Sequence, residues 1–261
     1  DDPSSVGYCI GKQATPDDAA DWVSQSTGWL KVIKSRPAVY ERYSKVMSDD
    51  QIIMLILYTT QASYAMNAVL RGQLKSKPWV DAYKKLAIDS ANALKKAPKG
   101  TKNAQGSGED KKLIDPSKAE DKIVPIGTVH RADAWSGFFN PVFGSEYHVG
   151  RSLEEPGFLS TTLVEGSYGA GMPVRKTIED AKIARSLSDV SAVSSENEAL
   201  FPPGQRFLIK SIELEDTTRG TRHAVGSPQT VFPKMDYGAQ AFNRPGLVWH
   251  VTLKHVGVAK G

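Results

Sequence analysis

Glu196-Asn197-Glu198-Ala199-Leu200-Phe201-Pro202-Pro203-Gly204 is the stretch from which the rest of the chain can be read. Two carboxylates sit at i and i+2, three apolar residues follow, and Pro-Pro-Gly closes the run. In an extended segment residues two apart share a face, so Glu196 and Glu198 are expected on one side of a strand. Upstream lies Gly157-Phe158-Leu159-Ser160-Thr161-Thr162, an apolar entry followed by three hydroxyls. Further upstream is Val129-His130-Arg131 at the end of an apolar run. An arginine fork can hold phosphate oxygens bidentately, which lysine cannot match. A hydroxyl can brace a carboxylate, and two carboxylates on one face can act together in acid–base work.

In that order, the three fragments resemble the mono-ADP-ribosyltransferases with an Arg, Ser-Thr-Ser, Glu-x-Glu signature. A second set of residues carries the same resemblance: Tyr58-Thr59-Thr60, Tyr64, Asn67 and Leu70-Arg71-Gly72. It looks like the helical lobe that precedes the catalytic half in that family. The resemblance implies NAD as substrate, with Arg131 on its phosphates and Ser160 holding Glu198 toward the nicotinamide ribose. His130, Thr161 and Thr162 are implied around the NAD, and Tyr168 is a candidate aromatic wall for its nicotinamide ring. Glutamate at the first position, Glu196, goes with arginine as acceptor. The implied activity is transfer of ADP-ribose to an arginine of a target protein. The implied setting is an effector or toxin secreted from a bacterium, by type III secretion for example, and acting in the cytosol of a target cell. Two departures stand out: His130 replaces the usual aromatic residue, and Ala132 replaces a glycine. They keep two alternatives open, a weakly active or inactive binding module of the same fold and an NAD glycohydrolase that uses water.

The organisation along the chain is α+β. Pro16 to Lys34 reads as a first helix with Thr15 as N-cap, ended by Pro37. Ser48 to Arg71 reads as the strongest helix, capped by Ser48 and stopped by Gly72. Pro78 to Leu94 is a further amphipathic helix. Short apolar runs then suggest strands at Ile123–Arg131, Gly157–Leu163, Val174–Ile178, Arg206–Leu214 and Leu247–Val256. Residues 1–97 are thus expected to be a leader and helical lobe, and 98–122 a flexible linker rich in Gly, Pro and Lys. Residues 123–261 are expected to be the β core, packed with the lobe as one unit. The resemblance adds that this core is a two-sheet sandwich with an NAD cleft. The aromatic cluster Trp135, Phe138, Phe139 and Phe143 is read as core.

Composition narrows the remaining classes. One cysteine, Cys9, excludes an internal disulfide and suits a reducing compartment. The five histidines form no HxxxH or HxH pair, so no metal site is expected. The net charge of +4 is modest, and the lysines between Lys84 and Lys122 lack interleaved aromatics, which argues against nucleic acid. No apolar run reaches membrane-spanning length. A monomer is expected.

Overall fold

The computed structural model describes residues 14–100, 125–133, 148–166, 171–191, 197–226 and 246–259. Among these, five helices come first: α1 (Ala19–Lys34), α2 (Pro37–Ser44), α3 (Asp49–Tyr58), α4 (Ala62–Leu70) and α5 (Lys77–Lys96). The strands are β1 (Thr128–Asp133), β2 (Ser152–Glu155), β3 (Leu159–Thr162), β4 (Val174–Glu179) and β5 (Arg185–Ser186), then β6 (Glu198–Phe201), β7 (Gln205–Asp216), β8 (Thr221–Val225) and β9 (Leu247–Val258). The α+β class expected from the sequence is therefore observed. Cys9, the aromatic cluster, and all of the expected linker beyond Gly100 lie outside the described residues.

The chain forms two compact units, each assembled from segments distant in sequence. The first holds Asp1–Thr101, Glu155–Ser160 and Ile183–Gly204; the second holds Lys102–Glu154, Thr161–Lys182 and Gln205–Gly261. The reason lies in packing. Phe158, Leu187, Val190 and Leu200 come from the strand-rich half, yet they join the buried core built by the helices. A composition shift marks where helices give way to strands, but not which strands bury their side chains against those helices.

In the first unit, the reading of Ser48 to Arg71 as one helix is corrected to two, α3 and α4, bent by 88°. Ser48 does open α3 with a reciprocal capping box to Gln51, worth about 1 kcal/mol. The break comes from two threonines. Thr59 and Thr60 donate their hydroxyls to the carbonyls of Ile56 and Leu57 at 2.8 and 2.6 Å, and Thr60 Oγ1 accepts from Ala62 N–H at 3.3 Å. These side chains take over the hydrogen bonds that a continuing helix would make. Gly72 stops α4 in a left-handed conformation, φ +67°. The first helix also starts later than expected, because residues 16–18 form a turn in which Asp18 accepts from Thr15 N–H at 2.7 Å. No single helix among the described residues is long and apolar enough to cross a membrane. In α3, Ile52, Leu55, Ile56 and Leu57 are fully buried in the core. Each contributes about 1.5–3 kcal/mol by burial.

The strands of the first unit run in the order β3-β6-β5. The segment leading to β6 is pinned to the helices. Tyr43 donates to Ser186 O, Arg42 pairs with Asp189 at 2.7 Å, and Arg185 Nε donates to Ala97 O at 3.1 Å, closing the C-terminus of α5.

In the second unit the order is β2-β7-β9-β4-β1-β3, with β8 on β7. The long antiparallel pair β7–β9 carries register shifts at Arg206/Phe207 and Ile209/Ser211. The second shift flips the alternation: Phe207 and Ile209 are buried before it, Ile212 and Leu214 after it. With Trp249, Val251 and Leu253 of β9 and Val174 and Ile178 of β4, they make the apolar core of this unit.

Candidate active site

In the first unit, Ser160 and Glu198 meet. Ser160 Oγ donates to Glu198 Oε1 at 2.7 Å, across 38 residues of sequence. Glu198 is only 7% exposed and opens β6, whose four residues are all buried. Its own carbonyl accepts from Leu187 N–H at 2.9 Å, which anchors the start of the strand. A short hydrogen bond to a carboxylate is charge-assisted and directional. It fixes the carboxylate's orientation without cancelling its charge.

Asn197, between the two glutamates, has a φ of +48°, in the left-handed region that asparagine tolerates better than most residues. Glu196 itself lies outside the described residues, as does Tyr168.

In the second unit, Arg131 is gathered into an ion cluster. Its Nε and NH2 both bond Asp133 Oδ1 at 2.8 Å, and Lys176 Nζ reaches Asp133 Oδ2 at 2.8 Å. The cause is register. Arg131 is paired directly with Lys176 across the antiparallel β1–β4 ladder, and Asp133 lies two residues along the same face. Two cations placed opposite each other repel unless an anion bridges them, and Asp133 is that bridge. Burial alone would raise the Asp133 carboxyl, but Arg131 and Lys176 outweigh it and hold the group well below the usual carboxylate range.

His130 does not share this face. It is adjacent to Arg131 on the strand and so projects to the other side, in register with Thr162 and Thr177. Its Nδ1 lies 3.5 Å from Thr177 Oγ1. Thr162 is buried, and its hydroxyl donates to Val164 O at 3.1 Å and accepts from Val164 N–H at 3.2 Å, closing the turn after β3. Thr161 is buried as well. The third hydroxyl of the motif thus serves the turn.

Sequence reasoning missed Asp133 and Lys176. Asp133 was within reach, since i+2 on a strand shares a face with Arg131. Lys176 was not, because cross-strand register over 45 residues has no local signal. It also left Glu155 and Gly157 unassigned.

Five N-terminal helices with a mixed antiparallel and parallel β assembly define an α+β protein that holds a buried hydroxyl–glutamate pair in one unit and an arginine cluster in the other. A sequence model of the ADP-ribosyltransferase exoenzyme family matches residues 35–227. The chain belongs to that family. Its fold is similar to that of Plx2a, an ADP-ribosyltransferase toxin from Paenibacillus larvae, at 17% identity over 93% of this chain and 96% of that one, TM-score 0.52. It is also similar to the type III effector XopAI from Xanthomonas axonopodis pv. citri, at 16% identity over 95% and 91% of the two chains, TM-score 0.56. C3larvin toxin, another ADP-ribosyltransferase from Paenibacillus larvae, matches at 17% identity over 83% and 100%, TM-score 0.50. At these identities the likeness establishes the fold. No curated protein matches the sequence.

Proposed function

We propose that this protein is an NAD-dependent mono-ADP-ribosyltransferase that transfers ADP-ribose to an arginine of a target protein. The observation that carries the reading is the Ser160–Glu198 hydrogen bond, made by two motif fragments far apart in sequence. Departure of nicotinamide breaks the glycosidic C–N bond, and the bonding pair leaves with nicotinamide. Positive charge then builds on the ribose, as in glycoside hydrolysis. A buried carboxylate held toward that cation stabilises the transition state more than the ground state. Arg131, its fork braced by Asp133, holds the NAD phosphates through its guanidinium. Glu196 pairs with the acceptor guanidinium and takes its proton as the nitrogen bonds the ribose carbon. His130 lies on the face away from Arg131 and is not part of this proposal. The protein acts as a monomer, secreted from a bacterium and working in the cytosol of a target cell. Family membership and the single cysteine support that setting.

A second reading is NAD hydrolysis with water as acceptor.

The test measures nicotinamide release beside label transfer to an arginine-rich protein. Glu198→Gln is expected to lower both by about 100-fold or more. Glu196→Gln is expected to abolish transfer while leaving hydrolysis. Equal loss of both activities in the two variants would refute the division of labour, and unmutated protein that turns over NAD equally with and without an acceptor would establish the hydrolase.

A further inference from the structure

The segment Glu155–Ser160 is gripped by the helical part of its own unit. Asn67, in the last turn of α4, accepts from Phe158 N–H through Oδ1 at 2.8 Å and donates through Nδ2 to Tyr58 Oη at 2.9 Å. Arg71, just past the end of α4, donates through NH2 to Phe158 O at 3.2 Å and through Nε to Glu155 Oε1 at 2.8 Å. That same Glu155 oxygen accepts from Gly157 N–H at 2.9 Å. The Phe158 ring packs on Tyr58 with centroids 4.5 Å apart. Both backbone polar groups of Phe158 are therefore held by α4 side chains rather than by a neighbouring strand.

Gly157 fits this grip through its lack of a side chain. A Cβ there would stand 2.8 Å from Asn67 Oδ1, 3.1 Å from Arg71 Nε and 3.2 Å from Glu155 Oε1. Three residues further on, Ser160 donates to Glu198. A strand end whose entry residue is held at both its N–H and its C=O by two side chains has little freedom to translate, so the hydroxyl beyond it is fixed as well.

We infer that Asn67, with Arg71 and Glu155, forms a clamp on the Phe158 peptide that positions Ser160, and through it Glu198. Asn67 is a positioning residue. It acts through the strand, and Gly157 is required because the clamp closes over its α-carbon. The consequence for catalysis rests on the proposed role of Glu198. The clamp itself rests on the contacts alone.

The experiment compares Asn67→Leu, Asn67→Asp and Gly157→Ala in the full chain, with two readouts. Amide hydrogen exchange follows residues 155–160 against α3, and steady-state nicotinamide release follows kcat and KM for NAD. Asn67→Leu removes both hydrogen bonds and is expected to speed exchange in 155–160 at least tenfold while α3 keeps its protection. Its kcat should fall at least tenfold with KM within about twofold. Asn67→Asp keeps an acceptor for Phe158 N–H and should restore kcat to within a few fold of the unmutated protein. Gly157→Ala should resemble Asn67→Leu. Unchanged exchange in both Asn67→Leu and Gly157→Ala would overturn the clamp. Faster exchange with unchanged kcat would overturn the positioning role. Unmutated protein that releases no nicotinamide would refute the catalytic reading, and with it the positioning role, while exchange still decides whether the clamp holds.

Discussion

Glu198 and Asp133 are both carboxylates at strand ends, and they are held in opposite ways. Glu198, at the start of β6, is oriented by the Ser160 hydroxyl, which leaves its negative charge in place. Asp133, at the end of β1, is bonded by Arg131 and Lys176. One carboxylate is braced by a neutral donor and the other by two cations, so the first hold is a directed hydrogen bond and the second is ionic.

Removing the charge that holds the cationic region gives the largest contrast. Asp133→Asn leaves Arg131 and Lys176 facing each other and is expected to cost about 3 kcal/mol of stability, read by urea denaturation. Its pH signature follows from the depressed carboxyl. A group ionised more readily in the folded state adds stability above the ordinary aspartate range near 3.8, and this is lost as pH falls through the lower folded value. Unmutated protein should lose stability below about pH 4 more steeply than Asp133→Asn does. Equal slopes would show that the cluster contributes nothing, and the comparison would fail.

The other brace should act on rate more than on the fold. Ser160→Ala removes a hydrogen bond to a charged group worth about 2 kcal/mol, and is expected to lower nicotinamide release about 10- to 30-fold with KM little changed. A rise in KM alone would show that Ser160 binds rather than braces. Arg131→Lys keeps the charge but not the fork, and should weaken NAD binding by about 1–2 kcal/mol in calorimetry. An unchanged dissociation constant would remove Arg131 from the site. Smallest is Thr162→Val. It should cost about 1 kcal/mol of stability by losing the turn bonds to Val164, with NAD affinity unaltered. A fall in affinity would return that hydroxyl to the site.

The candidate site was legible in part, and the reasons differ residue by residue. Arg131, Ser160 and Glu198 stand out as candidates because motif order survives in sequence. Asp133 lay in view two positions from Arg131. Asn67 and Arg71 were noticed as a helical pattern, but their role was not, because nothing local links α4 to a peptide some 90 residues away (|i−j| 91 for Asn67 to Phe158).

The sequence by itself determined the α+β class, the Ser48 cap, the Gly72 stop and the main strands, since these follow from side-chain periodicity and backbone preferences within a few residues. It also carried the threonines that divide α3 from α4, though hydrophobicity masked them. The tertiary structure alone decided which segments join the helical core, the opposition of Arg131 and Lys176, and the meeting of Ser160 with Glu198. Those depend on strand register and on which side chains find burial together, and both are settled by the whole set of long-range contacts at once rather than by any stretch of chain.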